Sequence, residues 1–513
     1  MNDSKNEQQA EQTSSSITSS EKSIKQKKVI KKAKNYPQAQ IIHREGSTSL
    51  LDVDGPPVSF SGLVNLAMLL LGGMMIRLIL ENYLKYGILV TLPGFDITNT
   101  DLYYAVSSIL ILCTNLTITF QIEKSSADHA KSVLRERKEA IEQNKEYKDI
   151  LETVVNYDKI VLIKQFSNLF FSLAIPSVLV YNNIHNPIFG TMVMMSSVIV
   201  ALKIYSYTVT NLDLRRAYIC DDSTLENDIL INTKFKNACL VHEKRNDIQV
   251  INRDRIDYTI AYPNNIALPN ILYFLAAPTL CYQPSYPRSE KPIRWKFVAK
   301  RTGELLFALT LTYVSIQQYG FPTLINSMKA IETNNQAWVS ERVLKLSVVV
   351  SILWLIGFYA FFHSWLNIIA ELLGFADRRF YLAWWNSSDL GVYWREWNLP
   401  IHNFCKRHIM VPITSPPFNL NFDLGVFVTF FISAVLHELL FGIPTRSLKL
   451  YSFWGMLFQL PLIKLTEMVS KSRGPRTNLG NSLFWIFFCI IGQPLLVLRY
   501  YYNWVQNNRE IGL

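Results

Sequence analysis

Two neighbouring residues in an apolar run pose the chemical question. In Phe427-Val-Thr-Phe-Phe-Ile-Ser-Ala-Val-Leu-His437-Glu438, the residues before the histidine are apolar except for Thr429 and Ser433. Counted from Leu424 at about 1.5 Å per residue, His437 lies roughly 20 Å along a helix. That is well inside a hydrocarbon layer of about 30 Å, where ionisable groups are costly and are functional candidates by default. A neutral imidazole there is suited to take a proton from an alcohol near neutral pH. The alternative is a buried histidine bonded to a neighbouring helix. Further on, Ile490-Ile-Gly-Gln493-Pro494 sets an amide beside a helix-breaking proline. Gln493 either satisfies the carbonyl that the proline frees or bonds a ligand. Met456 and Gln459 stand in a similar setting, Gly455-Met456 and Gln459-Leu-Pro461, with polar adhesion between helices as the alternative. His363, in FYAFFHSWLN, reads as structural.

The segment 371–423 is a second concentration of chemistry. It sets Trp384, Trp385, Trp394 and Trp397 beside Arg378, Arg379, Arg395, Lys406 and Arg407. Aromatic and basic groups together stack a purine and neutralise phosphates; they equally form an interfacial belt on an amphipathic helix. No GxxxxGK[ST] phosphate loop, HExxH zinc motif or GxSxG elbow occurs, so ATP-driven, zinc-dependent and serine-hydrolase chemistry have no support. Six cysteines without a CxxC pair argue against a disulfide scaffold or a zinc ribbon.

The elements that must position these groups are membrane spans. Only 18% of the 513 residues are charged and 49% are hydrophobic, against about 25% charged in globular domains. The first 40 residues hold no apolar run and hence no secretory signal. Charge-free windows occur at Gly55–Ile76, Leu102–Ile122, Leu305–Met328, Leu346–Ala370 and Thr477–Leu498. Gln165–Leu202 is long enough for two spans, broken at Tyr181-Asn-Asn-Ile-His-Asn-Pro187; Leu424–Pro444 and Leu450–Val469 complete a set of nine. The Lys-rich tail places the N-terminus in the cytosol, and alternation then puts the basic loops 123–164, 207–304, 371–423 and 464–476 on the same side. The expected fold is all-α and polytopic: a disordered basic tail over 1–54, a membrane domain over 55–503 with a cytosolic helical insert at 123–152, and a short tail at 504–513. No internal repeat is evident, which weighs against duplicated transporter folds.

Phe380-Tyr-Leu-Ala-Trp-Trp-Asn386, then Trp397-Asn398-Leu-Pro-Ile-His402, then His437-Glu438 resemble the membrane-bound O-acyltransferases of the sterol and diacylglycerol branch. That branch carries FYxDWWN, a WN-x-P-x-H segment and an intramembrane histidine. The resemblance extends through Ala276-Ala-Pro-Thr-Leu-Cys-Tyr282, Tyr286-Pro-Arg288 and Gly492-Gln-Pro494, and covers about 43–503. His43-Arg-Glu-Gly-Ser-Thr-Ser-Leu-Leu51 and Glu81-Asn-Tyr-Leu-Lys-Tyr-Gly-Ile-Leu89 look like the type-one diacylglycerol acyltransferases.

The resemblance implies acyl transfer from acyl-CoA to diacylglycerol in the endoplasmic reticulum membrane. It implies His437 as general base and Asn398 as the second catalytic position. Gln493, Met456, Gln459 and Ser433 would line the chamber, with Trp397, His402, Arg407, Trp385 and Asn386 as further substrate contacts. It implies no metal and no cofactor, acyl-CoA being a substrate, and no nucleic-acid partner. It also implies a homodimer or homotetramer joined through residues around 43–60. The family Asp of FYxDWWN is Ala383 here, which leaves Asp377 or Asp389 as the carboxylates available to replace it. A sterol acceptor, a transport protein and a non-catalytic scaffold are the rival readings.

Overall fold

The computed structural model describes residues 61–91, 97–143, 148–220, 260, 262–289, 291–415, 418–473 and 479–511. The tail over 1–54, the residues before 61 assigned to subunit contact and residues 221–259 of the 207–304 loop lie outside them. The chain divides into two units, 1–74 and 75–513, and the candidate site lies in the second. Among the described residues there is no strand, only an isolated bridge between Arg288 and Phe375.

Among the described residues six helical stretches are long and apolar enough to cross a bilayer: Asn99–Ala140, Glu152–Asn183, Pro187–Arg216, Gln336–Leu372, Phe422–Gly442 and Leu479–Asn508. They match six of the nine expected windows. Gly55–Ile76 falls partly outside the described residues and continues into α1 (Ser61–Tyr86). Leu305–Met328 is helical but is divided among α6 (Trp295–Ser315), a π-helical turn Ile316–Gly320 and α7 (Phe321–Glu332). Leu450–Val469 is split at Phe458 into α14 (Tyr451–Leu457) and α15 (Gln459–Arg473), so neither piece has the length of a span.

The first three long helices, α2 (Asn99–Glu142), α3 (Lys148–Asn183) and α4 (Pro187–Cys220), pack together. A reciprocal cap starts α2: the Asp101 N–H donates to Thr98 Oγ1 (3.1 Å) and the Thr98 N–H to Asp101 Oδ2 (3.0 Å). The trio is joined by buried charge. Arg215 on α4 pairs with Glu123 on α2 (3.1 Å) and Asp158 on α3 (3.0 Å), and Gln165 donates to Glu123 (3.0 Å). Buried away from water, such charges persist only when paired. The helical extension expected around 123–152 is α2 running on to Glu142 and α3 resuming at Lys148.

Helix α5 (Leu268–Ala276) and the strap after it are pinned to α4 by polar bonds. Lys203 donates to the carbonyls of Phe274 (2.8 Å), Leu275 (2.9 Å) and Ala277 (2.9 Å). It thereby serves the unpaired carbonyls at the negative end of α5. Ser206 Oγ accepts the Tyr282 N–H (2.8 Å) and lies 2.8 Å from His408 Nε2. Asn265 donates to Asn211 Oδ1 (2.7 Å).

The remainder comprises α8 (Gln336–Phe358), α9 (Leu366–Leu372), α10 (Leu390–Glu396), α11 (Leu399–Cys405), α12 (Val411–Thr414), α13 (Phe422–Gly442), α16 (Leu479–Trp485) and α17 (Gln493–Ile511). Three more π-helical turns, Tyr359–Trp365, Lys406–Met410 and Ile486–Gly492, interrupt this run. Such turns re-aim side chains and recur at functional sites. Gly480 on α16 lets it touch the 384–388 segment, since a Cβ there would stand 2.6 Å from the Ser388 carbonyl oxygen.

Two buried groups make this packing testable. Arg215→Met leaves buried Glu123 with only the neutral Gln165 amide and Asp158 with only Arg216, a loss of about 3–5 kcal/mol by analogy with broken buried pairs. The melting temperature of the purified protein should fall clearly, and an unchanged value would refute the assignment. His408, outside the crossing helices, has its pKa pushed from 6.5 down to about 3 by burial and then by Arg407. The fold holds it neutral while the unfolded chain protonates it below pH 6.5, so its contribution is complete above 6.5 and fades on acidification. Between pH 6.5 and 5 that amounts to about 2 kcal/mol. Thermal stability should therefore drop over this range, and His408→Gln should flatten the drop.

Candidate active site

His437 sits on α13, five residues before its end at Gly442. Its Nδ1 lies 2.7 Å from the Ser433 carbonyl oxygen and 3.4 Å from Ser433 Oγ. A carbonyl only accepts, so Nδ1 carries the proton in the neutral ring and the lone pair is left on Nε2. Ser433 thus sets the tautomer of the histidine one turn away.

The next residue is not a partner of the imidazole. Glu438 is buried and accepts from the Leu450 N–H (3.0 Å), the Phe453 N–H (3.3 Å) and the Tyr500 hydroxyl (2.8 Å). Adjacent residues on a helix point about 100° apart, so one side chain faces the chemistry while the other clamps the frame. The clamp joins α13 to the start of α14 and to α17. Leu450, with φ of +60°, makes the tight entry into α14 that brings its N–H to the carboxylate.

Through that frame the remaining amides are positioned. Met456 is buried on α14. Gln459, at the start of α15, donates from Nε2 to the Gly455 carbonyl (3.0 Å), and among the described residues its Oε1 is buried without a partner. Gln493 begins α17 directly after the π-helical turn, and its Oε1 is likewise buried without a partner. Unpaired buried carbonyl oxygens cost about 1–3 kcal/mol each. Such atoms are suited to receive a hydroxyl donor.

The second motif block reaches α13 from the side. Trp394 on α10 packs on Phe430 with ring centroids 5.8 Å apart, and on Trp397 at 6.0 Å. Phe430 precedes His437 by seven residues, two turns on the same face. Asn398 caps α11, its Oδ1 accepting the Ile401 N–H (3.1 Å). That bond orients the amide so that its NH2 remains to donate. His402, one turn on, is held neutral by burial and by the nearby Lys406 and Arg395 charges, which lower its pKa. Cys405 is pushed up to about 12 by burial, so it stays a thiol and offers no thiolate nucleophile.

Not every expected group faces a ligand. Arg407 donates to the Tyr282 carbonyl (2.8 Å) and to Thr210 Oγ1 (3.3 Å), fixing the strap to α4. Trp384, Trp394 and Trp397 join Trp354, Phe358 and Tyr393 in an internal aromatic cluster; the aromatic richness of this segment is largely packing. Trp385, 50% exposed, and Asn386 stand at the surface instead. Ala383 is exposed and precedes the Trp384–Asn386 turn without a side-chain cap. Asp377 pairs with Arg379 (3.2 Å) and Asp389 caps α10 through the Val392 N–H (2.9 Å), so both carboxylates have local partners.

His363 Nδ1 lies 2.7 Å from the Tyr381 hydroxyl, anchoring the motif loop. Leu399 N–H then bonds the Phe380 carbonyl (3.0 Å), which ties that loop to the helix headed by Asn398. Among the described residues no group of three or more His, Cys, Asp and Glu side chains is placed to hold a metal ion. Trp394 and Tyr500 were missed as frame residues. Trp394 has a sequence signal in its spacing from Asn398; Tyr500 has none.

The model of the membrane-bound O-acyltransferase family matches residues 173–501. Diacylglycerol O-acyltransferase 1 of Dictyostelium discoideum is 34% identical over 90% of this chain, which spans 65% of that relative's length. The proteins of the same name from Corylus americana and Arabidopsis thaliana are 33% and 34% identical, over 87% and 90% of this chain and 72% and 76% of their own. With the half-buried histidine, the capping asparagine and the glutamine pair in the order the motifs require, the chain belongs to the membrane-bound O-acyltransferase family.

Proposed function

We propose that this chain is an acyl-CoA:diacylglycerol O-acyltransferase, making triacylglycerol. The observation that carries the mechanism is the bond from His437 Nδ1 to the Ser433 carbonyl, which leaves Nε2 free to act as a base. Nε2 takes the proton from the free hydroxyl of diacylglycerol. The oxygen attacks the thioester carbonyl carbon; the C–O bond forms, the C–S bond breaks, and His437 passes the proton to the departing sulfur, so that coenzyme A leaves as the thiol and the imidazole is again neutral. The Asn398 NH2 donates to the oxyanion, a contribution of about 3 kcal/mol in comparable sites. Gln493 and Gln459 hold the glycerol end, Met456 fills the apolar wall beside them, and the surface of the 385–407 segment receives coenzyme A.

The two substrates fit the topology. Coenzyme A is a polyanion that stays in water, whereas the acyl chain and diacylglycerol approach a buried base from the bilayer. Exclusion of water protects the thioester from hydrolysis. The names of the similar proteins support the acceptor, and the basic loops support a cytosolic N-terminus in the endoplasmic reticulum membrane. A homodimer or homotetramer completes the proposal.

The test is transfer from labelled oleoyl-CoA in membranes expressing the chain, with diacylglycerol and cholesterol offered together. Labelled triacylglycerol is expected, falling by about 10²–10⁴-fold in His437→Ala. Labelled sterol ester would reassign the acceptor, and no product with either would return the chain to a non-catalytic or transport role. Asn398→Ala should lower kcat by about 10²–10³-fold, the loss seen when an oxyanion donor is removed.

Glu438 supplies a separate check. Glu438→Ala leaves two backbone N–H groups and the Tyr500 hydroxyl without their acceptor, about 1–3 kcal/mol for each. Both melting temperature and kcat should fall, while the KM for oleoyl-CoA, bound on the far side of the frame, holds. A variant as stable as the parent would refute the clamp.

A further inference from the structure

The opening of α6 lies at a change of solvent. Trp295 to Glu304 carries Lys296, Lys300, Arg301 and Glu304, whereas Leu305 to Met328 carries no charge at all. A helix of that composition enters the apolar layer near Leu305, so its first turns lie at headgroup level. Trp295, 66% exposed, has the place of an interfacial aromatic.

Lys296, Lys300, Gly303 and Phe307 recur at helical spacing and form one strip. Both lysines are exposed, and among the described residues neither has an ion-pair partner. A Cβ at Gly303 would meet nothing within 4 Å, so this position is an open notch. Leu306 and Phe307 continue the surface outward as apolar wall, Phe307 at 70% exposure.

Charge behind the strip is one-sided. The guanidiniums of Arg294, Arg301 and Arg378 surround the Phe297 ring at 4.7, 5.2 and 6.0 Å. Glu371 takes both Arg294 (2.8 Å) and Arg378 (2.5 Å), and Glu304 takes Arg301 (2.6 Å) and the Tyr359 hydroxyl (3.0 Å). The nearby Asp377 is matched by Arg379. Two carboxylates thus face three arginines and two lysines, Lys300 sharing Glu304 with Arg301 across one turn, and positive charge remains in excess at the surface.

We propose that this strip is a binding site for an anionic phospholipid. Its phosphate sits between Lys296 and Lys300, and one acyl chain runs over the Gly303 notch against Leu306 and Phe307. The apolar wall begins within one turn of the ammonium groups, which matches a headgroup joined to a chain and not a soluble phosphate. Neither lysine belongs to the acyl-transfer machinery, so the site is read by binding alone.

The test uses the full chain purified in detergent, offered phosphatidylserine and phosphatidylcholine with identical acyl chains in equal amounts. Retained lipid is quantified by mass spectrometry after size exclusion, which also verifies folding. Phosphatidylserine is expected in excess, and Lys296→Gln with Lys300→Gln should reduce that excess by about fivefold per lysine at low salt. The effect should shrink as salt is raised. Lys464→Gln with Lys471→Gln removes two charges already paired with Asp423 and Glu467 and should leave retention unchanged. Equal retention of the two lipids by the parent, or equal losses in the two double variants, would overturn the proposal. So would displacement of phosphatidylserine by millimolar inorganic phosphate or coenzyme A, which would mark a soluble-phosphate site.

Discussion

A buried carboxylate beside the histidine organises the reactive end of this protein. Glu438 gathers two backbone N–H groups from the entry to α14 and the Tyr500 hydroxyl from α17. Helices in an apolar medium have no hydrophobic drive toward one another, so polar bonds and close packing must set their relation. One acidic side chain therefore fixes how the helix bearing His437 stands against those bearing Met456 and Gln493. An unsatisfied carboxylate at that depth would be expelled or neutralised, which makes the arrangement close to all-or-none.

The same rule operates at the periphery. Lys203 spends its three protons on carbonyls at the end of α5, and Arg215 divides itself between Glu123 and Asp158. Charge here serves as an internal fastener, at places where a soluble protein would use apolar contact. The π-helical turns follow the same logic. Each loosens the regular backbone ladder; the turn Lys406–Met410 contains Arg407 and the turn Ile486–Gly492 immediately precedes Gln493.

The aromatic block over 380–397 has two functions that composition cannot separate. Trp384 and Tyr393 are buried among residues of α8 and α16 and make a stiff wall. Against that wall Trp394 packs on Phe430 of α13, and Trp397 immediately precedes Asn398. Ala383, at the place of the acid in the FYxDWWN motif that the segment resembles, lies on the exposed side of the motif turn. The substitution removes a potential cap and touches none of the buried rings.

Much of this was legible in the sequence because membrane insertion writes itself into composition. Charge-free windows of span length have few other uses, so an all-helical class and nine candidate spans follow from residue types alone, six of them matched by helices of crossing length among the described residues. The histidine was legible for the same reason, as an ionisable group in a costly place. Periodicity could not divide 450–469 at Phe458, because a break in an apolar helix leaves its composition unchanged. Nor could it reveal that Glu438 serves α14 and Tyr500, that Arg407 is bound to Tyr282, or that three of the four tryptophans are packing. Those are contacts between residues tens to hundreds of positions apart, set by which helices become neighbours. Residue types and their order were enough to give the medium, the helices and the identity of the candidate base. Which lone pair that base presents, and what clamps its helix to the neighbouring helices, came from the folded structure alone, because hydrogen-bond partners exist only once the chain has folded.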